Sequence, residues 1–233
     1  DVCAEDKRVF ILRLPESFDI MMIQDCESMK CGAIRVSLML EKKGSDCMPS
    51  LREDTQREEK INGVIYDMSP SPNYQHGIVD GNIYSIIKNG IRGSLCLAFM
   101  ENLDYRYQAQ ENDDYVIPDI MIICDRKHLK RRGLITGTPH FIVETLSPAT
   151  ALKDRTIKKE IYQKAGIAEY WIISPKERAV EVYYLENGEY DLKYSYVLQD
   201  DPEEKHYNAD TVVTLREFPN ISMTLADMFE NIE

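Results

Sequence analysis

The spacing of apolar residues changes along this chain, and each change predicts an element. Residues 1–47 hold two apolar runs, RVFILRL and AIRVSLML, that read as short strands. From residue 48 the signals sharpen. INGVIYDMSP pairs an Asn62-Gly63 turn with a short strand ending at Pro70. Ile78, Ile83, Ile86 and Ile87 form an imperfect stripe, which predicts a helix over about 75–90 stopped by Gly90. SLCLAFM and YRYQAQ read as strands. YVIPDIMIIC is a strand whose continuous apolar run predicts burial on both faces, and HFIVETL is another strand. In SPATALKDRTIKKEIYQKAG, Ile157, Ile161 and Ala165 recur every four residues. This predicts an amphipathic helix with Thr150 as its N-cap and Gly166 as its end. AEYWIIS follows as a strand, so strand, helix and strand make a βαβ unit with a right-handed crossover. AVEVYYLENGEYDLKYSYVL is a hairpin about Asn187-Gly188, and SMTLADMFENI is a short closing helix. The fold class is α/β, with residues 1–47 as an extension of unassigned role and 48–233 as the principal domain.

Composition narrows this further. A chain of 233 residues with 43% hydrophobic and 29% charged residues suits one ordered domain with an added arm. Fourteen Tyr against one Trp fits a β-containing protein. Six Cys (3, 26, 31, 47, 96 and 124) form no CxxC pair, which argues against a zinc ribbon and leaves free thiols in a reducing cytoplasm as the expectation. No run of about 20 apolar residues is present, so a soluble cytoplasmic protein with no membrane partner is expected.

The net charge of −12 opposes strong non-specific nucleic-acid binding. It is unevenly spread, however. Arg126, Lys127, His128, Lys130, Arg131 and Arg132 make one basic run, and Lys153, Arg155, Lys158, Lys159 and Lys164 make another. A local basic cleft could still take a polyanion, with modest and salt-sensitive affinity. No GxxxxGK[ST] loop, no GxGxxG after a strand and no GxSxG elbow occurs. The four His, at 76, 128, 140 and 206, show no metal-ligand spacing.

The chemistry that remains centres on carboxylates. Asp119 lies among Ile117, Ile120, Met121, Ile122 and Ile123, and Glu144 among Phe141, Ile142, Val143 and Leu146. Burying an ionised carboxylate in such strands is costly unless a metal or a cation compensates it. For either acid alone, pairing with a local Arg or Lys is the simpler reading; for the two together a metal site is favoured. Lys158 follows on the next helix, in a stripe with Asp154 and Tyr162. It is either the site's cation or half of an exposed i,i+4 ion pair. Glu59 and His76 are weaker candidates, each read alone as a surface or capping residue. Hard carboxylates suit Mg²⁺, with Mn²⁺ as a substitute, and Mg²⁺ with a lysine suits phosphodiester hydrolysis.

At these positions the chain resembles the Uma-type putative restriction endonuclease family, a branch of the PD-(D/E)XK nuclease superfamily. The resemblance runs over roughly residues 48–233. It is carried by EKINGVIYDMSPSPNYQH, VIPDIMIICD, HFIVETLSPATALKDRTIKKEIYQKAGIAEYWIISP and FPNISMTLADMF. It implies a restriction-endonuclease-like core, a central mixed sheet flanked by helices, with Asp119 and Glu144 as metal ligands. The superfamily's usual lysine position, two residues after the Glu, is Leu146 here, and the resemblance moves the lysine to Lys158. Glu59 and His76 fall where the family has an acid and a histidine. The expected function is Mg²⁺-dependent hydrolysis of DNA, with homodimerisation by analogy. The rivals are a non-catalytic module that keeps the fold for binding or scaffolding, and a hydrolase acting on RNA or a nucleotide.

Overall fold

The computed structural model describes the backbone of three strands, β1 (Lys7–Arg13), β2 (Asp19–Asp25) and β3 (Met39–Glu41), and then residues 58–67, 74–101, 103–130, 133–199 and 208–232. The chain divides into two compact units, Asp1–Asp54 and Thr55–Glu233. In the first unit β1, β2 and β3 pair in that order, antiparallel. RVFILRL covers β1 apart from Lys7; most of AIRVSLML lies outside the described residues, and β2 (DIMMIQD) is an additional strand.

The second unit opens on a hairpin, β4 (Glu58–Ile61) and β5 (Val64–Asp67). Its turn is Asn62-Gly63, with φ of 51° and 76°; two successive left-handed residues match the twist of a two-residue hairpin. Helix α1 (Tyr74–Gly90) follows. Gly90 is its last residue, and a side chain would not fit there: a Cβ would come within 2.5 Å of the Ile221 side chain.

The remaining elements are β6 (Leu97–Met100), β7 (Asp104–Tyr105), β8 (Ile120–Ile123), β9 (Leu129–Lys130), β10 (Leu134–Ile135) and β11 (Phe141–Thr145). Helix α2 spans 151–164, and its centre, Asp154–Lys158, is π-helical. After it come β12 (Glu169–Ser174), β13 (Ala179–Glu186), β14 (Glu189–Val197), β15 (Val212–Thr214), β16 (Ser222–Thr224) and the one-turn helix α3 (Leu225–Met228).

A six-stranded mixed sheet, ordered β14-β13-β12-β11-β8-β6, is the centre of this α/β unit. Within this sheet only β11 and β12 pair in parallel, joined by α2 as the βαβ pattern predicts. Alternation along the strands splits the core in two. Ile120, Ile122, Phe141, Val143, Trp171 and Ile173 pack with Val79, Ile83 and Ile87 of α1. Met121, Ile123, Ile142, Tyr170 and Ile172 pack with Ile161 and Tyr162 of α2. Both faces are covered, which is why these strands read as unbroken apolar runs.

Several expectations change. YRYQAQ is mostly turn, because the chain leaves β7 after Tyr105. SMT at the start of the closing segment is strand β16; Thr224 ends it and caps α3 through Asp227 N, so the helix is only LADM. Thr150 stands at the start of α2 but makes no side-chain cap; its hydroxyl accepts from Ser147 N at 3.3 Å instead. Cys96 and Cys124 form a disulfide rather than remaining free thiols. Leu97 pairs with Ile123, so the antiparallel register places the two cysteines opposite each other one step further on. The other four Cys lie outside the described residues.

Glu169, on β12, is fully buried. It accepts from Trp171 Nε1 at 2.8 Å and from Glu217 N at 3.2 Å. Burial raises its carboxyl to about 7, although these donors pull the other way. Between the ordinary carboxylate range and about 7, the folded chain keeps a proton that the unfolded chain releases. Stability from this group is therefore present at low pH and lost as pH rises through that window. Glu169→Gln should gain melting temperature relative to the parent between pH 5 and pH 8; an offset that stays flat with pH would contradict it.

Candidate metal centre

The buried stripe of α1 runs His76, Val79, Asp80, Ile83 and Ile87. It differs from the Ile78, Ile83, Ile86 and Ile87 stripe of the sequence: Ile78 and Ile86 are half-buried, and the polar His76 and Asp80 take buried places instead. His76 and Asp80, one turn apart, share a face. His76 Nδ1 lies 3.0 Å from Asp80 Oδ2 and 3.7 Å from Glu101 Oε1, and Nε2 lies 3.4 Å from Asp119 Oδ2. The sheet supplies the two acids. Glu101 directly follows β6 in a left-handed conformation (φ 47°), and Asp119 directly precedes β8. The two backbones are joined there, Glu101 N donating to Asp119 O at 2.9 Å. From β11, Thr145 N donates to Asp119 Oδ2 at 2.7 Å, and the Thr145 hydroxyl donates to Asp80 Oδ1.

One ligand atom from each of His76, Asp80, Glu101 and Asp119 fits in a group within 4.8 Å of one another. Burial alone would lower the imidazolium, but Asp119 and Asp80 outweigh it and raise His76 to about 11. Burial, helped by the charge of Asp119, raises Asp80 to about 6 against the pull of His76. His76 Nδ1 and Asp80 Oδ2 are both buried and close, yet neither completes a hydrogen bond. Three carboxylates and one imidazole, with ligand atoms this close together, fit a hard divalent cation that would take the place of the His76 proton.

A second charged cluster lies beside the first. Glu144 and Thr145 are successive residues of β11, so their side chains leave opposite faces of the sheet. Thr145 goes to α1, and Glu144 goes to α2. Lys158 Nζ lies 3.0 Å from each oxygen of Glu144, 2.9 Å from Glu59 Oε1 and 3.7 Å from Asp154 Oδ1. The Tyr162 hydroxyl donates to Glu144 Oε1. Glu59, from β4, also takes Ile117 N at 3.0 Å and pairs with Lys153. Burial pushes the Glu59 carboxyl up, yet Lys158 and Lys153 together hold it below the usual carboxylate range. Burial pushes Glu144 well up, opposed by Lys158. Lys158 is raised well above its ordinary value, because the surrounding acids overcome the penalty of burial.

Asp119 joins the clusters. It contacts His76 directly, and its charge is felt by Glu144, Asp154 and Lys158. All five residues singled out in the sequence therefore lie in this region, His76 and Asp119 in the first cluster, Glu59, Glu144 and Lys158 in the second. Glu144 sits on Lys158 and Tyr162 rather than within the four-residue group.

Asp80 and Glu101 escaped the sequence reading. A charged residue one turn after His76, in the apolar stripe of α1, was the available signal for Asp80. Glu101 had none, because its place depends on the β6–β8 register. The exposed ion pair considered for Asp154 and Lys158 does not form, since both side chains are only 2–3% exposed. Nor does the second basic run make an open cleft. Lys153 and Lys158 are turned onto Glu59, Arg155 pairs with Glu181, Lys164 with Glu160, and Lys159 lies over the Tyr183 ring. In the first run Arg126, Lys127, His128 and Lys130 are exposed, and Arg131 and Arg132 lie outside the described residues.

The model of the Uma2 family, described as putative restriction endonucleases, matches residues 45–224 of this chain. This chain belongs to the Uma2 family. An uncharacterized protein of Synechocystis sp. is 28% identical to the Uma2 chain over 135 residues, covering 57% of this chain and 69% of that protein. Among solved structures, one titled a putative nuclease belonging to DUF820, from Anabaena variabilis, superposes with a TM-score of 0.57 at 23% identity. That match covers 75% of this chain and 90% of the other, and it carries the fold. Among the described residues no helix is long and apolar enough to cross a membrane.

The Tyr162 hydroxyl tests how far Glu144 depends on its partners. Tyr162→Phe removes one donor from a buried carboxylate and should cost about 1–3 kcal/mol in urea unfolding at unchanged m-value. A loss under about 0.5 kcal/mol would mean that Lys158 alone satisfies Glu144.

Proposed function

We propose that this Uma2 chain is a metal-dependent endonuclease that hydrolyses DNA phosphodiester bonds, with Mg²⁺ as its ion and Mn²⁺ as a substitute. The observation that carries the reading is the group of His76, Asp80 and Asp119, all buried, with the half-buried Glu101, beside the Lys158 cluster. The four residues would hold the ion, which supplies an activated water and neutralises charge at phosphorus. Asp119 is the ligand nearest both clusters. Lys158, fixed by Glu144 and Glu59, presents a permanent ammonium to charge developing on the phosphate or to the attacking water. Glu144, which the family resemblance makes a second ligand, acts from the Lys158 side of Asp119. Glu59 positions Lys158 and Lys153. His76 is a ligand that, without an ion, closes the site as an imidazolium. Cleavage of both strands would call for a homodimer.

Incubation of plasmid DNA with the purified chain and Mg²⁺ or Mn²⁺ tests this. The parent should nick the plasmid, Asp119→Ala should not, and Lys158→Ala should be slower by a factor of about 10² or more. Equal nicking by all three would refute the reading.

A second reading, the same fold and metal centre kept as a binding module, is favoured by the internal pairing of the cations from Lys153 to Lys164. The two readings share one prediction and part on another. Mn²⁺ at 100 times its Kd should stabilise the parent by about 2.7 kcal/mol, and Asp119→Ala should abolish the effect. Stabilisation without nicking selects the binding module; no stabilisation removes both.

A further inference from the structure

The two buried clusters differ in what neutralises them. In the first, His76 faces three carboxylates with polar atoms left over. In the second, the Lys158 ammonium stands where three carboxylates from three elements converge, Glu59 of β4, Glu144 of β11 and Asp154 of α2, and Lys153 pairs with the other oxygen of Glu59. Four oxygens surround Lys158 Nζ at 2.9, 3.0, 3.0 and 3.7 Å, and all three acid side chains are at least nine-tenths buried. That is a cation's oxygen shell, wider than the one Mg²⁺ takes at about 2.0–2.1 Å. Asp154 Oδ1 faces the ammonium from 3.7 Å and completes no hydrogen bond, as in a shell built for something better placed or more highly charged. The π-helical stretch Asp154–Lys158 sets these two residues on one wall of the shell.

We propose that the Lys158 ammonium occupies a second cation position, so that the chain binds a single divalent ion, at His76, Asp80, Glu101 and Asp119, and that removing the ammonium opens Glu59, Glu144 and Asp154 to a second. This rests on the first cluster being a metal centre. Asp119 belongs to the first cluster, and its charge is also felt at Glu144 and Lys158 in the second. The lysine thus makes a constellation with enough carboxylates for two ions into a one-ion site. It also supplies the second positive charge in a form that chelators cannot remove.

The test is a count of bound Mn²⁺ by equilibrium dialysis and by native mass spectrometry, on the parent, Asp80→Asn, Lys158→Ala and Lys158→Met. The parent should bind one ion, Asp80→Asn none, and Lys158→Ala two. Lys158→Met, which fills the space without charge, should still bind one ion and no more weakly than the parent does, because losing a neighbouring positive charge favours the bound cation while the Met side chain blocks the second position. Lys158→Ala should also be less stable than the parent in EDTA and recover most of that loss in Mn²⁺. Two ions on the parent would overturn the proposal, as would a single ion on Lys158→Ala or a Lys158→Ala protein that stays unfolded in Mn²⁺. No ion on the parent is a different failure, since it removes the metal-centre reading beneath the proposal.

Discussion

The contact between the Lys158 ammonium and the carboxylates of Glu144 and Glu59 is the constraint on which the rest of the site depends. These acids are taken almost wholly out of water, from two different strands. Neither could stay ionised there alone, because desolvating an unpaired carboxylate costs more than a domain of this size can spare. The Lys158 ammonium favours the ionised form of both: with Lys153 it holds Glu59 below the usual carboxylate range, and it opposes the burial that pushes Glu144 up. In doing so it fixes α2 against β11 and the β4 hairpin, with Tyr162 and Ile117 N holding the remaining lone pairs. Removing Lys158 would leave Glu144 without its cation and Glu59 with Lys153 alone, whereas removing one acid leaves the others to share Lys158.

The sheet converts that constraint into a site. β11 presents Glu144 to one face and Thr145 to the other, so a single strand touches both clusters. Asp119 sits at the mouth of β8, where the chain is still irregular and its carboxylate can reach Thr145 N and His76. Glu101 is brought to the same end by the antiparallel β6–β8 pair, and the Cys96–Cys124 disulfide closes that pair at its opposite end. The strands and their ends thereby position Glu59, Glu101, Asp119 and Glu144, while α1 contributes His76 and Asp80, and α2 contributes Lys153, Asp154 and Lys158.

Much of this was legible in the sequence. The βαβ unit of β11, α2 and β12 showed itself by a change of period, and the β4–β5 and β13–β14 turns by their Asn-Gly pairs. Asp119 and Glu144 stood out because an acid inside an apolar strand demands a partner. What stayed hidden has a common cause. Asp80 was masked by a helix stripe that tolerates a polar place, Glu101 by a register no local pattern encodes, and the Cys96–Cys124 pairing by the same register. The fate of the basic run from Lys153 to Lys164 was unreadable for a related reason: its partners Glu59 and Glu181 come from distant strands. Residue type reveals that a charge needs compensation, and only the fold reveals by what.

Crystals grown with Mn²⁺ and measured at the manganese edge would test the central claim most directly. The account predicts one anomalous peak enclosed by His76, Asp80, Glu101 and Asp119, with Lys158 still seated on Glu59 and Glu144. A peak between Glu59 and Glu144, with Lys158 displaced, or no peak at either cluster, would contradict it.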